Sequence, residues 1–237
     1  MNFKQIKEDV LDIINSKTKI VEKENIPELD DSTFTYGDGV KTWVGAIFVD
    51  IRDSSKLFKD YNEDKLARML RAFSNEIIKI LKSIDCYRQI GIRGDCVYGI
   101  YNVPKKDNIY NMFDLAIKIN TFLKFYNTIL SENQYETIKA GIGVGCGKDL
   151  VIKVGLKQSG INDMIWIGDA VVDASKLSGL ALKETESPIL FSKCVYENIK
   201  DIYRKISHKY DEWFERNEEL ECYECDLYKS DYDDYAE

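Results

Sequence analysis

Asp50 follows seven mostly apolar residues, Trp43 to Val49. A carboxylate at the end of such a run is costly to bury unless something positive sits beside it. Directly afterwards, Ile51-Arg52-Asp53-Ser54-Ser55-Lys56 turns polar and small, which suits a loop opening a helix. Backbone N–H groups of such a turn can face a polyphosphate. Asp95 follows Gly94 at a second tight turn. Two convergent carboxylates beside an N–H-rich loop describe a site for Mg²⁺ or Mn²⁺ carrying a nucleoside triphosphate. Two such ions clamp the attacking and leaving oxygens of an in-line displacement at phosphorus. The same residues also suit helix N-capping and Gly-Asp turn chemistry, so spacing alone leaves both readings open.

Positioning those carboxylates requires a sheet. Trp43 to Val49 reads as a buried strand, and Leu66, Met69, Leu70, Phe73, Ile77, Ile80, Leu81 and Ile84 trace one helical face. Residues 86–93 and 96–101 read as strands joined at Gly94-Asp95, followed by a helix over about 109–130. Residues 138–146 and 150–156 read as a strand pair turning near Gly147-Lys148-Asp149. Strand, helix, strand, strand, helix, strand is the split βαβ, ferredoxin-like order. The fold class is therefore α/β (α+β) with an antiparallel-rich sheet. In it the first strand and the hairpin are neighbours, which lets Asp50 and Asp95 converge. A strand at 164–167, a helix at 169–182, a strand at 188–191 and a short helix at 194–200 elaborate the sheet.

Phe3, Ile6, Val10, Ile13 and Ile14 recur at helical spacing and predict an N-terminal helix over 3–20. The polar stretch 22–41, broken by Pro27, Gly37 and Gly39, reads as a linker. The expected division is 1–41 as helix and linker, 42–210 as the main domain, and 211–237 as an acidic, solvated tail. That tail holds 12 acidic and 2 basic side chains, more than the whole net charge of −8, so the body is near neutral. No Lys/Arg cluster suits nucleic acid, and no apolar run approaches the ~18 residues of a membrane span. The opening MNFKQIKEDV lacks the apolar stretch of a secretory signal, and six scattered cysteines do not form a disulfide framework. Both point to the cytoplasm. Cys222 and Cys225 have zinc-knuckle spacing without two further ligands. Gly141, Gly143 and Gly145 lie inside a strand pattern, where they permit close backbone packing rather than a dinucleotide loop.

Three motifs occur in the order seen in class III nucleotidyl cyclases: Phe48 to Ser55, Gly94-Asp95, and Gly168 to Leu177. The resemblance covers roughly residues 42–195. Ser159 to Gly168 and Ile92 to Gly99 look like the pyrimidine cyclases of the Pycsar anti-phage systems. The resemblance implies that Asp50 and Asp95 bind two Mn²⁺ or Mg²⁺ ions, with the Ile51 carbonyl as a further ligand. It implies that Arg52, Asp53, Ser54 and Ser55 hold phosphates through backbone N–H. Lys176 falls where most such enzymes keep a transition-state Arg, and would act as a point charge. The family's transition-state Asn aligns with Val172, so that hydrogen bond is missing.

Where adenylate cyclases read adenine with a Lys and an Asp, this chain has Gly91 and Ile165, neither of which can hydrogen-bond through its side chain. Arg93 shares the strand face of Gly91 and offers donors to uracil O4, or else pairs with a carboxylate. Tyr87, Tyr98 and Trp166 are either stacking partners for a base or core aromatics. The resemblance implies a homodimer with composite sites, UTP or CTP as substrate, and a cyclic UMP or cyclic CMP product that signals to a separate effector in anti-phage defence.

Overall fold

The computed structural model describes residues 1–230 apart from Tyr61, Lys157 and Gln158; the side chains of Phe58, Lys59, Asp60 and Asp211 are left aside. Residues 231–237 of the expected tail lie outside the described residues. After α1 (Phe3–Ile14) and β1 (Lys19–Glu22), the ferredoxin-like core is β2 (Asp38–Ile51), α3 (Glu63–Leu81), β3 (Tyr87–Arg93), β4 (Cys96–Asn102), α4 (Lys106–Glu132) and β5 (Ala140–Gly155), with α2 (Ser54–Asp60) inserted between β2 and α3. β6 (Asn162–Ile167), α5 (Asp169–Leu180), β7 (Ile189–Ser192), α6 (Lys193–Ile206), β8 (Glu215–Asn217) and β9 (Cys222–Cys225) follow. Among the described residues nine strands form one sheet, with β3-β4-β2-β5-β7-β9-β8 as its path. The four core strands thus take the expected ferredoxin-like order. β1–β2 and β5–β7 pair in parallel and the other ladders are antiparallel.

The main core lies between the sheet and α3, α4 and α6. Met69, Phe73, Ile77 and Leu81 of α3 and Phe113, Ala116 and Ile117 of α4 are buried against Ile47, Val49, Ile142 and Val144. That matches the helical stripe and the buried strand read from the sequence. On the opposite face α5 lies over β5, with Ile26 and Phe34 buried in the same apolar cluster. Gly141, Gly143 and Gly145 permit this, because a Cβ at each would overlap the backbone carbonyl of Ser178, Ala174 and Ala170 respectively. Alternate glycines therefore bring helix backbone onto strand backbone.

Several local expectations are corrected. Residues 147–149 are not a turn: β5 runs straight through them, with Gly147, Lys148 and Asp149 paired to Val44, Trp43 and Thr42. β2 begins at Asp38, five residues before the apolar run, and so templates a longer partner. Part of the stretch expected to be linker is strand, since β1 pairs with residues 38–41 of β2. The N-terminal helix ends at Ile14, and none of its residues is buried. The segment expected to be solvated beyond 210 is in part packed: Phe214, Cys222 and Cys225 are buried and β9 pairs with β7. Cys222 and Cys225 are buried on that strand. Cys146 of β5 and Cys194 of α6 form a disulfide, which the scattered cysteines did not lead one to expect.

Gly143→Ala tests the packing of α5. Overfilling a backbone contact costs about 1–3 kcal/mol. A lower urea midpoint with an unchanged slope is expected. Wild-type stability in this variant would show that α5 is not pressed onto the sheet.

Candidate active site

The ladder between β2 and β4 sets Asp50 directly opposite Cys96, and Asp95 precedes Cys96 at the turn where Gly94 takes φ +64°. The two carboxylates thus come together at adjoining strand ends. Burial pushes the Asp50 carboxyl above its ordinary range; the Arg52 guanidinium opposes this and the Asp95 charge adds to it. Arg52 is ion-paired with the Asp50 carboxylate. Its Nε and Nη2 also donate to the Asp50 carbonyl at 3.3 and 3.2 Å, and its Nη1 donates to the Gly179 carbonyl at 2.7 Å. A cation is in demand here, and the donors are hard oxygens, which suit Mg²⁺ or Mn²⁺. Among the described residues no group of three or more His, Cys, Asp or Glu side chains stands ready for a metal. A divalent ion would therefore need other oxygens, such as backbone carbonyls, phosphates and water. Ile51 ends β2 with its side chain buried, so only its main chain can contribute.

The loop after Asp50 differs in one respect from expectation. The Arg52 N–H is already committed, donating to the Lys139 carbonyl at 2.8 Å. It is not available to a phosphate. Asp53 takes φ +53°, and Ser54 and Ser55 open α2. First-turn N–H groups have no carbonyl one turn back within their helix, so these two residues can face an anion. Arg52, Asp53, Lys56 and Lys139 line a cavity of about 240 Å³ with Glu136 and Thr137. Lys139 was not among the residues expected to act. It immediately precedes β5, and only the tertiary fold brings it beside Arg52.

A second cleft, of about 420 Å³, opens on the face of the sheet that carries α5. Asp50, Arg93, Tyr98, Ile165 and Trp166 line it, with Gln89, Asp163 and Ser175. Asp50, Arg93 and Ile165 thus line one cleft of a single chain. Arg93 is exposed and makes no ion pair among the described residues. Gly91 lies on the same strand, opposite Tyr98. Tyr98 and Trp166 face the cleft, whereas Tyr87 packs against the main core beneath Lys82. Gln89 was missed: its Oε1 accepts from Trp166 Nε1 at 3.2 Å, and its Nε2 donates to Asp163 Oδ1 at 3.3 Å.

Lys176 is not brought to Asp50 within one chain. It is exposed on α5 and lines a separate cavity with Asp169, Asp173 and Glu221. Burial pushes the Asp173 carboxyl up, Asp169 adds to that, and Lys176 opposes it. Val172, where a side-chain donor was missed, is 61% exposed.

Residues 40–223 match the family model described as the adenylate and guanylate cyclase catalytic domain. The chain is 41% identical over 238 residues to a uridylate cyclase of Treponema porcinum, covering 99% of this chain and 80% of that protein. It is 36% identical over 194 residues to a uridylate cyclase of Gulbenkiania mobilis, covering 78% of this chain and 74% of that protein. Among solved structures, the adenylyl cyclase CyaB from P. aeruginosa aligns with TM-score 0.60 at 23% identity, over 69% of this chain and 83% of that one. A bacterial light-regulated adenylyl cyclase aligns with TM-score 0.60 at 19% identity, over 82% and 95%. These two show a shared fold.

Lys139→Met tests the cationic cavity. One lost charge-assisted contact to a phosphate is worth about 1.5–3 kcal/mol, so nucleoside triphosphate affinity is expected to fall at least ~tenfold. Calorimetric titration measures this, and an unchanged affinity would remove Lys139 from the site. Because Lys139 is exposed, thermal stability should hold.

Proposed function

The chain belongs to the adenylate and guanylate cyclase catalytic domain family, and we propose from that premise that it converts UTP to 3′,5′-cyclic UMP and pyrophosphate. One observation carries the reaction: Asp50, paired across the sheet beside Asp95, opens into the same cleft as Arg93 and Ile165. That cleft offers no side chain at Gly91 or Ile165 able to read adenine, while the Arg93 guanidinium can donate to uracil O4. The two relatives named uridylate cyclase favour the same base.

In this reading Asp50, Asp95 and the Ile51 carbonyl hold two divalent ions, Mn²⁺ or Mg²⁺. Bound there, such ions neutralise the triphosphate and lower the proton affinity of the attacking hydroxyl. The Asp53, Ser54 and Ser55 turn and Lys139 hold the phosphates. Arg52 keeps its backbone bond and serves through its side chain, orienting Asp50. The substrate 3′-oxygen bonds to the α-phosphorus as the bond to pyrophosphate breaks, and the hydroxyl proton is lost to solvent. Lys176 offsets charge gathering on the phosphoryl oxygens as a point charge rather than a fork.

Asp50 and Lys176 line different cavities of one chain. This supports a homodimer in which each site takes its carboxylates from one protomer and its Lys176 from the other, related by a two-fold axis. No helix among the described residues is long and apolar enough to cross a membrane. We assign the activity to the cytoplasm, with cyclic UMP acting on a separate effector in anti-phage defence. The support for that role is the motif resemblance.

Incubation with each of the four nucleoside triphosphates and Mn²⁺, read by mass spectrometry, tests the proposal. Cyclic UMP is the expected dominant product, and it should fall by at least ~10²-fold in Asp50→Asn and Asp95→Asn. A dominant cyclic CMP or a cyclic purine product would overturn the base assignment. Wild-type rates in either variant would overturn the site.

A further inference from the structure

Gly91 of β3 stands opposite Tyr98 of β4 in the ladder. A Cβ on residue 91 would lie 2.5 Å from Tyr98 Oη and 2.7 Å from its Cε1, separations that real Cβ atoms do not adopt. The ring of Tyr98 therefore lies across its neighbouring strand, over bare glycine backbone. On its other side the register partner of Tyr98 is Phe48 of β2. Those two rings stack, with centroids 5.1 Å apart and planes 13° from parallel. The hydroxyl is also held, since Gln89 Nε2 donates to Tyr98 Oη at 3.4 Å while the same side chain bonds Asp163 and Trp166 of β6.

Side chains from three other strands thus fix one ring inside the cleft that also holds Asp50 and Arg93. The main core lies on the other face of the sheet and does not include Tyr98, which with Phe48 and Trp166 packs against the smaller apolar cluster beneath α5. We propose that Tyr98 is the specificity-determining residue for the base: its ring fills the part of the cleft that the second ring of a purine would require. A one-ring base still fits. The proposal rests on the pyrimidine cyclase reading and adds the residue that enforces it.

Exclusion of this kind works by overlap, and overlap discriminates only if the obstacle cannot yield. Stacking on Phe48, the floor at Gly91 and the tether to Gln89 remove the directions in which the ring could retreat. Gly91 has a twofold part. It offers nothing to hydrogen-bond a purine edge, and it makes the room that Tyr98 occupies. A side chain at 91 and this position of the Tyr98 ring are mutually exclusive.

The test is equilibrium binding of UTP and of ATP to the full chain, with Ca²⁺ as the divalent ion to slow turnover, in the wild type, Tyr98→Phe and Tyr98→Val. Wild type and Tyr98→Phe are expected to prefer UTP by the same factor, because the ring remains. Tyr98→Val should shift the ratio of dissociation constants toward ATP by at least ~tenfold, the usual scale for pocket-size discrimination. Should the valine variant fail to fold by circular dichroism, Tyr98→Leu retains more apolar bulk and carries the same expectation. An unchanged ratio in the folded shortened variant overturns the proposal and leaves the UTP assignment standing. Equal loss of preference in Tyr98→Phe also overturns it, since the hydroxyl would then be the determinant. A wild type that prefers ATP overturns the base assignment itself.

Discussion

The close approach of α5 to β5 is the constraint on which the site depends. Two residues of strand advance about 6.7 Å and four residues of helix about 6.0 Å, so the two repeats run nearly in step. Gly141, Gly143 and Gly145 use the first repeat, and Ala170, Ala174 and Ser178 use the second. Each glycine meets one helix carbonyl, and the helix is pressed onto the sheet along its length. Both ends are then tied. The buried Asp149 accepts from the Ala170 N–H at 3.4 Å, and Arg52 donates to the Gly179 carbonyl at 2.7 Å. The second tie is the more consequential, because the same guanidinium is paired with Asp50. The strand carrying Asp50 and the helix carrying Lys176 are thereby held in one frame.

That frame keeps Asp50 and Lys176 in different cavities of one chain. α5 separates the cleft of Asp50, Arg93 and Trp166 from the cavity of Lys176, Asp169 and Asp173. Lys176 faces away from the carboxylates it would serve. A two-fold pairing of chains resolves this without moving any element, since each protomer then offers carboxylates to one site and a lysine to the other. Within the cleft, a glycine at 91 lets the Tyr98 ring lie down across the sheet. The placement of α5 and that of the Tyr98 ring thus draw on the same feature, small residues that let larger groups come close.

Much of the fold was legible because it rests on local patterns. The apolar run before Asp50 and the helical stripe from Leu66 to Leu81 are read directly, and their order fixes the ferredoxin-like topology. The glycines of β5 were legible as packing residues for the same reason, since glycine every second residue in a strand has few other uses. What failed was tertiary in origin. Gly147-Lys148-Asp149 has turn composition, yet pairing with the early part of β2 keeps it extended. Residues 215–225 are acidic and look solvated, but β7 leaves an open edge that β9 completes. Lys139 and Gln89 carry no motif, and only register brings them to the site. Spacing and the motif resemblance singled out Asp50 and Asp95, whereas the ion pair that Arg52 makes with Asp50 depends on the folded loop.

The central claim is a composite site shared between two chains, and mixing two inactive variants tests it most directly. Asp50→Asn and Lys176→Met are prepared separately, mixed in equal amounts, allowed to exchange subunits, and assayed for cyclic UMP. A mixed dimer retains one site with both Asp50 and Lys176 intact, so full exchange should restore about a quarter of wild-type activity. No recovery after exchange, with mixed dimers verified by native mass spectrometry, would contradict the shared site and place the reaction within a single chain.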